Sequence, residues 1–138
     1  MRVIVAVKAT KETEAGILPD EKIFTEMGKY NEELVKAGVM LAGEGLQPSS
    51  KGKKVTFSGG KVSVVDGPFT ETKELIAGFW LWRVKSMEEA IEWIKRSPFK
   101  EGAVEIRPVY EADDFGPALT PELRKREERM RAEIAARR

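Results

Sequence analysis

Neither cysteine nor histidine occurs anywhere in the 138 residues. Their absence excludes a disulfide, a thiolate nucleophile, an imidazole base and any His/Cys metal site. Proton transfer and ligation are left to carboxylate, lysine, tyrosine and hydroxyl groups, and no spacing of oxygen ligands suggests a metal. Long apolar runs are missing too. None approaches the roughly 20 residues needed to cross a bilayer. The apolar start at residues 1–7 is too short for a signal peptide and has no small-residue cleavage site, so a cytoplasmic location is expected. Amide side chains are reduced to Asn31 and Gln47, while 34% of residues are charged. That balance is the one found in thermophile proteins, and a thermophilic source is expected, unless the scarcity is an accident of a short chain.

Charge of one sign is also lacking. The chain carries +1, residues 117–138 hold seven basic and four acidic side chains, and the remainder therefore sums to −2. A body so near neutrality makes no electrostatic case for direct nucleic-acid binding.

What is present is the size and hydrophobic content of one domain, 41% of residues being hydrophobic. Residues 2–8 alternate and are β-branched, which predicts a strand. Ile23, Met27, Tyr30, Leu34 and Ala37 recur at helical spacing and predict a helix over 19–37, stopped by Gly38. A second strand is expected over 39–47, with Gly43 and Gly45 marking a bulge or a close backbone approach. Segments 54–58 and 61–65 flank Gly59-Gly60, a strong hairpin signal. Residues 76–82 are nearly all apolar, as in a strand covered on both faces. Ser86 and Glu89 form the expected capping box of a second helix, with Met87, Ala90, Ile91 and Ile94 as its buried stripe, and 103–110 is the last strand. With the hairpin set aside, two βαβ units follow one another, the split arrangement of ferredoxin-like α+β folds with an antiparallel sheet. Helices on one face leave the other to a second subunit or to the hairpin. Of these the homodimer is expected, with residues 3–7 and 79–82 buried between subunits. The expected division is a domain over 1–112, then a linker and C-terminal helical extension over 113–138. Thr120 and Pro121 start that last helix.

The densest polar stretch is Val65-Asp66-Gly67-Pro68-Phe69-Thr70-Glu71-Thr72-Lys73-Glu74. Together with 42–48 (AGEGLQP), 90–93 (AIEW) and 104–108 (VEIRP), it resembles the DGPF-type proteins of the YCII-related family, over about residues 3–109. The resemblance implies a dimeric α+β barrel, a largely unassigned biochemical function and, in some relatives, an association with extracytoplasmic-function sigma factors. Better-studied relatives have a His-Asp pair; here Asp66 alone corresponds to its acid, and that mechanism does not carry over to a chain without histidine.

Candidate ligand-binding residues are Asp66, Phe69, Glu71 and Lys73 of this loop, Glu44 and Arg107 from adjoining strands, and Trp80 and Trp82, which share a strand face. Acids beside bases in a partly dry cleft can exchange protons. Each also has a plainer role: a turn residue in Asp66, a core plug in Phe69, cross-strand ion pairs in Glu44 and in Glu105 with Arg107, core or dimer packing in the tryptophans. The function expected first is a small-molecule-binding or regulatory homodimer with no cofactor and no membrane partner. A cofactor-independent enzyme and an interaction module linked to sigma-factor regulation stay open beside it, and catalytic residues are not assigned.

Overall fold

In the computed structural model, which describes residues 1–71 and 74–137, β1 (Arg2–Lys8) lies in the middle of a four-stranded antiparallel sheet. It pairs with β5 (Ile76–Arg83) on one side and β6 (Val104–Pro108) on the other, while β2 (Met40–Gly45) borders β5. The order β2-β5-β1-β6 is that of a ferredoxin-like α+β fold. Helices α2 (Glu21–Lys36) and α3 (Met87–Lys95) supply its two crossovers, and α4 (Pro121–Ala136) follows at the C-terminus.

The core forms on the helix side of the sheet. Val3 and Val5 of β1 and Trp80 and Trp82 of β5 are buried with Tyr30 and Leu34 of α2 and Ala90 and Trp93 of α3. Trp80 is the hub. Its ring meets Tyr30 edge-on at 5.9 Å and Phe99 at 6.1 Å, and its Nε1 donates to Asn31 Oδ1 at 3.0 Å. Gly43 passes so close that a Cβ there would come within 2.7 Å of the Trp80 ring. That is the close approach expected of the Gly43–Gly45 stretch, and the β2–β5 register also shifts between Met40 and Ala42, as at a bulge. Tyr30 ties the two helices together by donating to Trp93 O at 2.6 Å.

The structure corrects several sequence expectations. Ile91, expected in the α3 stripe, is exposed, and Trp93 is buried instead, its backbone carbonyl accepting from the Tyr30 hydroxyl. The capping box is offset: Ser86 Oγ accepts from Glu89 N, but Glu89 Oε1 accepts from Lys85 N, one residue before the cap. A four-residue helix, α1 (Lys11–Glu14), was not expected; Thr10 and Thr13 cap it reciprocally. The apolar run at 79–82 does not place its tryptophans between subunits. It alternates, with Trp80 and Trp82 beneath the helices while Phe79 and Leu81 look to the opposite face, as do Ile4 and Ala6 of β1. Val3 and Val5 likewise belong to the helix side, against the expectation that they face a second subunit.

Strands β3 (Lys53–Ser58) and β4 (Lys61–Asp66) form a separate two-stranded sheet. Gly59 and Gly60 both adopt positive φ, as a tight primed turn requires. Every residue of the two strands is exposed, so the hairpin does not cover the open face of its own chain.

Residues 109–138 form a second unit. In it Tyr110 stacks on Phe115 at 4.9 Å, Arg124 Nη2 reaches Asp113 Oδ1 at 2.8 Å, and Thr120 caps α4 through Leu123 N. None of the described residues of α4 is buried.

Two measurements test this account. Because the buried residues among those described all precede Val109, deletion of residues 117–138 is expected to leave the thermal midpoint of the remaining chain within a few degrees, as followed by circular dichroism. Burial pushes the Tyr30 hydroxyl up to about 12, against the lowering effect of Arg96. The folded state thus holds this proton more tightly than the unfolded one, so the contribution is complete below pH 10 and is lost as pH rises from 10 to 12. Tyr30→Phe is therefore expected to cost about 1 kcal/mol in urea unfolding at pH 8, and the gap between variant and wild type should shrink above pH 10. A gap that stays constant to pH 12 would contradict the assignment.

Candidate functional site

The chain leaves β2 through Pro48 and a 3-10 turn at Ser49–Lys51, runs out and back along the hairpin, and returns at Asp66. The outgoing and returning segments are knotted together. Gly67 N donates to Gly52 O and Phe69 N to Ser49 Oγ, both at 3.0 Å. Ser49 donates its backbone N–H, at 3.0 Å, and its hydroxyl to the two carboxylate oxygens of Glu14. The reciprocal Thr10–Thr13 cap starts the single helical turn that ends in Glu14, and so explains why that turn exists. A Cβ on Gly67 would stand 1.7 Å from Ser49 O, so only glycine allows the two segments to come this close.

Beside the knot lies an open groove of about 660 Å³. Leu46, Leu75, Ile76 and the Phe69 ring give it an apolar side; Glu14, Ser49, Lys51 and Glu74 give it polar groups of both signs. Lys54 Nζ lies 4.8 Å from the centre of the Phe69 ring, a cation–π contact that fixes the hairpin root to the ring. This combination of apolar wall and a few polar anchors is what small-molecule sites offer. Hollows along α4, by contrast, are lined only by the side chains of that helix and its approach.

Among the sequence candidates, Phe69 lines the groove. Asp66 stands at the hairpin root, where Lys53 Nζ donates to its Oδ1 at 2.6 Å, and its side chain is 76% exposed. Glu71 is exposed, and Lys73 lies outside the described residues. Glu44 and Arg107 do not converge on the loop. They occupy the two outer strands on the sheet's open face, separated by three strand spacings, about 14 Å. Arg107 faces Glu105 at 3.9 Å, and Glu105 also pairs with Lys8 at 3.2 Å, which is the cross-strand alternative. Trp80 and Trp82 are core residues, and Trp82 is fully buried with its Nε1 lacking a partner among the described residues. Sequence reasoning missed Glu14, Ser49, Lys51 and the Leu46/Leu75/Ile76 wall. The Thr10/Thr13 spacing was the one available signal for α1; nothing local reports that residues 14 and 49 meet. No group of three or more Asp and Glu side chains among the described residues is arranged to hold a metal ion.

The model of the YCII-related domain matches residues 1–113. The chain belongs to the YCII-related family. An uncharacterized protein of Rhizobium meliloti is 30% identical over 93 residues, 65% of this chain and 75% of that one. Among solved structures, 5-chloro-2-hydroxyhydroquinone dehydrochlorinase from Burkholderia phenoliruptrix, in complex with 2,5-dihydroxybenzoquinone, is similar with a TM-score of 0.45 and 15% identity, over 83% of this chain and 98% of that one.

Within this YCII-related domain the knot yields a ranking of two neighbours. Gly67→Ala is expected to destabilise by about 1–3 kcal/mol, since the Cβ meets backbone that cannot give way. Asp66→Ala, losing only an exposed ion pair, is expected to cost less than about 1 kcal/mol. Urea unfolding of both variants checks the order, and a reversed order would show that Asp66, not the close approach, holds the loop.

Proposed function

We propose that this YCII-related chain is of the DGPF type and works as a homodimer that binds a small molecule in the groove beside the Glu14–Ser49–Phe69 knot. The observation that carries this reading is the knot itself. A four-residue helix, a 3-10 turn and the 66–71 loop converge to present one aromatic ring, an aliphatic wall and charges of both signs around about 660 Å³. A moderately sized ligand with an apolar body and one or two polar groups fits such a lining.

Binding is favoured over transformation by the state of Ser49. Its hydroxyl donates to Glu14 and accepts from Phe69 N, so both are spent in holding the loop. A serine engaged in this way lacks the free imidazole-type base that activates hydroxyl nucleophiles, and no histidine exists to provide one. The homodimer is supported by the open sheet face, where Ile4, Ala6, Phe79 and Leu81 are only half-covered within one chain. A sheet face of this composition is stable when something packs on it.

Ligand-observed NMR with a library of soluble metabolites tests the site. Compounds whose signals broaden with wild-type protein are expected to recover in Phe69→Ala and in Lys51→Ala, with the fold intact by circular dichroism. Binding that survives both substitutions would place the site elsewhere. Sedimentation tests the assembly: a two-chain species at micromolar concentration is expected, and Leu81→Asp should reduce it to one chain, because the new carboxylate would be buried unpaired.

A further inference from the structure

The β3–β4 hairpin is the part of residues 1–108 least explained by a single chain. Its strands pair Val55 with Val64 and Phe57 with Val62. Those four side chains share one face, by the two-residue alternation of strands. Among the described residues nothing covers that face: Phe57 is 77% exposed and Val62 61%. The opposite face carries Lys54, Thr56, Ser58, Lys61 and Ser63, with Val65 as its one large apolar side chain. A two-stranded ribbon alone in water is marginal. This one is nevertheless firmly rooted, by Gly67 N to Gly52 O, Phe69 N to Ser49 Oγ and the Lys53–Asp66 pair that closes the apolar face. A rooted ribbon with an apolar face that the described residues leave open has the form of an arm that waits for a partner.

We infer that the hairpin is an arm whose Val55/Phe57/Val62/Val64 face packs on a second copy of this chain, adding to the contact between open sheet faces. This rests on the homodimer reading above and goes beyond it. Area is what selects the occupant. Taken as flat patches, with strands about 4.8 Å apart and about 3.4 Å per residue, the open sheet face offers roughly 300 Å² per copy and the hairpin face roughly 200 Å². With the sheet faces joined alone, the apolar hairpin faces, about two fifths of this patch area, would stay in water. Two reciprocal arms bring those faces into the same contact and enlarge it beyond the sheet faces alone. A two-fold axis uses each of the two uncovered faces twice and leaves neither bare, which a single unrelated partner on the hairpin would not do. Charge agrees. The fourteen residues Lys53–Asp66 carry three lysines and one aspartate, whereas the rest of residues 1–108 carries fourteen basic and fifteen acidic side chains. A cationic arm thus meets a body that does not repel it.

Sedimentation velocity at micromolar concentration on wild type, Phe57→Asp/Val62→Asp and Leu81→Asp tests the inference. Both hairpin positions are exposed, so the double variant leaves the core of its own chain untouched, and circular dichroism with urea unfolding checks that. Its dimer dissociation constant is expected to rise by about tenfold or more. A double variant that dimerises like wild type while Leu81→Asp dissociates would overturn the arm and leave the sheet-face dimer standing; a wild type that is monomeric would overturn both. Thiol labelling supplies an independent arm of the test, since a single Val62→Cys would be the only thiol in the chain. Its reaction with a maleimide should slow as protein concentration passes through the dimer range. A labelling rate independent of concentration would show that the face stays bare and the inference is wrong.

Discussion

Two helices cover one face of a four-stranded sheet, and the alternation of β5 turns this into a division of labour. Trp80 and Trp82 point towards the helices, and Phe79 and Leu81 point away. On the helix side the indoles decide the packing. Trp80 sets the distance to α2 through Tyr30 and Asn31, excludes a side chain at Gly43, and is closed off by Phe99. Tyr30 then binds α2 to α3 through Trp93 O, and Arg96 covers the Trp93 ring at 3.9 Å. The single asparagine of the chain is spent on orienting the central tryptophan.

The groove depends on this sheet without being part of its core. β2 and β5 bring Leu46 and Ile76 to the end of the sheet, and the connection between them must then travel out and back. Glu14 catches that connection at Ser49, and Gly67 allows the return segment to lie against it. The polar groups of the groove are thus held by backbone bonds made for other reasons, while the apolar wall comes from strand ends. For the proposed binding role, that is an economical construction in a chain without histidine or cysteine, because it asks for shape and a few charges and not for a tuned acid or base.

Several charged side chains elsewhere form surface pairs, such as exposed Lys95 with Glu92 at 3.2 Å and half-buried Lys8 with Glu105 at 3.2 Å. Pairs of this kind contribute little individually. They account for Glu105 and Arg107 without any cleft, and they show why a count of acids and bases near one another in sequence is a poor guide to a site.

The sequence by itself determined the element order, because it is carried by local chemistry: β-branched alternation in β1, the helical spacing of Tyr30 and Leu34, the Ser86 and Thr120 caps, and Gly59-Gly60 at a turn that needs positive φ. That order, with the hairpin set aside, was enough for the ferredoxin-like reading, and the Asp66–Phe69 loop was enough to point to the YCII-related family. Only the tertiary structure decided which side each apolar residue faces and which polar residues meet. The run at 79–82 is apolar at every position, so its period of two is invisible until helices occupy one face. Trp93, not Ile91, is buried in α3, where its carbonyl meets the Tyr30 hydroxyl of the neighbouring helix, a contact that depends on how the two helices pack. Glu14 and Ser49 are 35 residues apart, and no propensity or spacing reports a contact at that range; it exists because two strands end side by side.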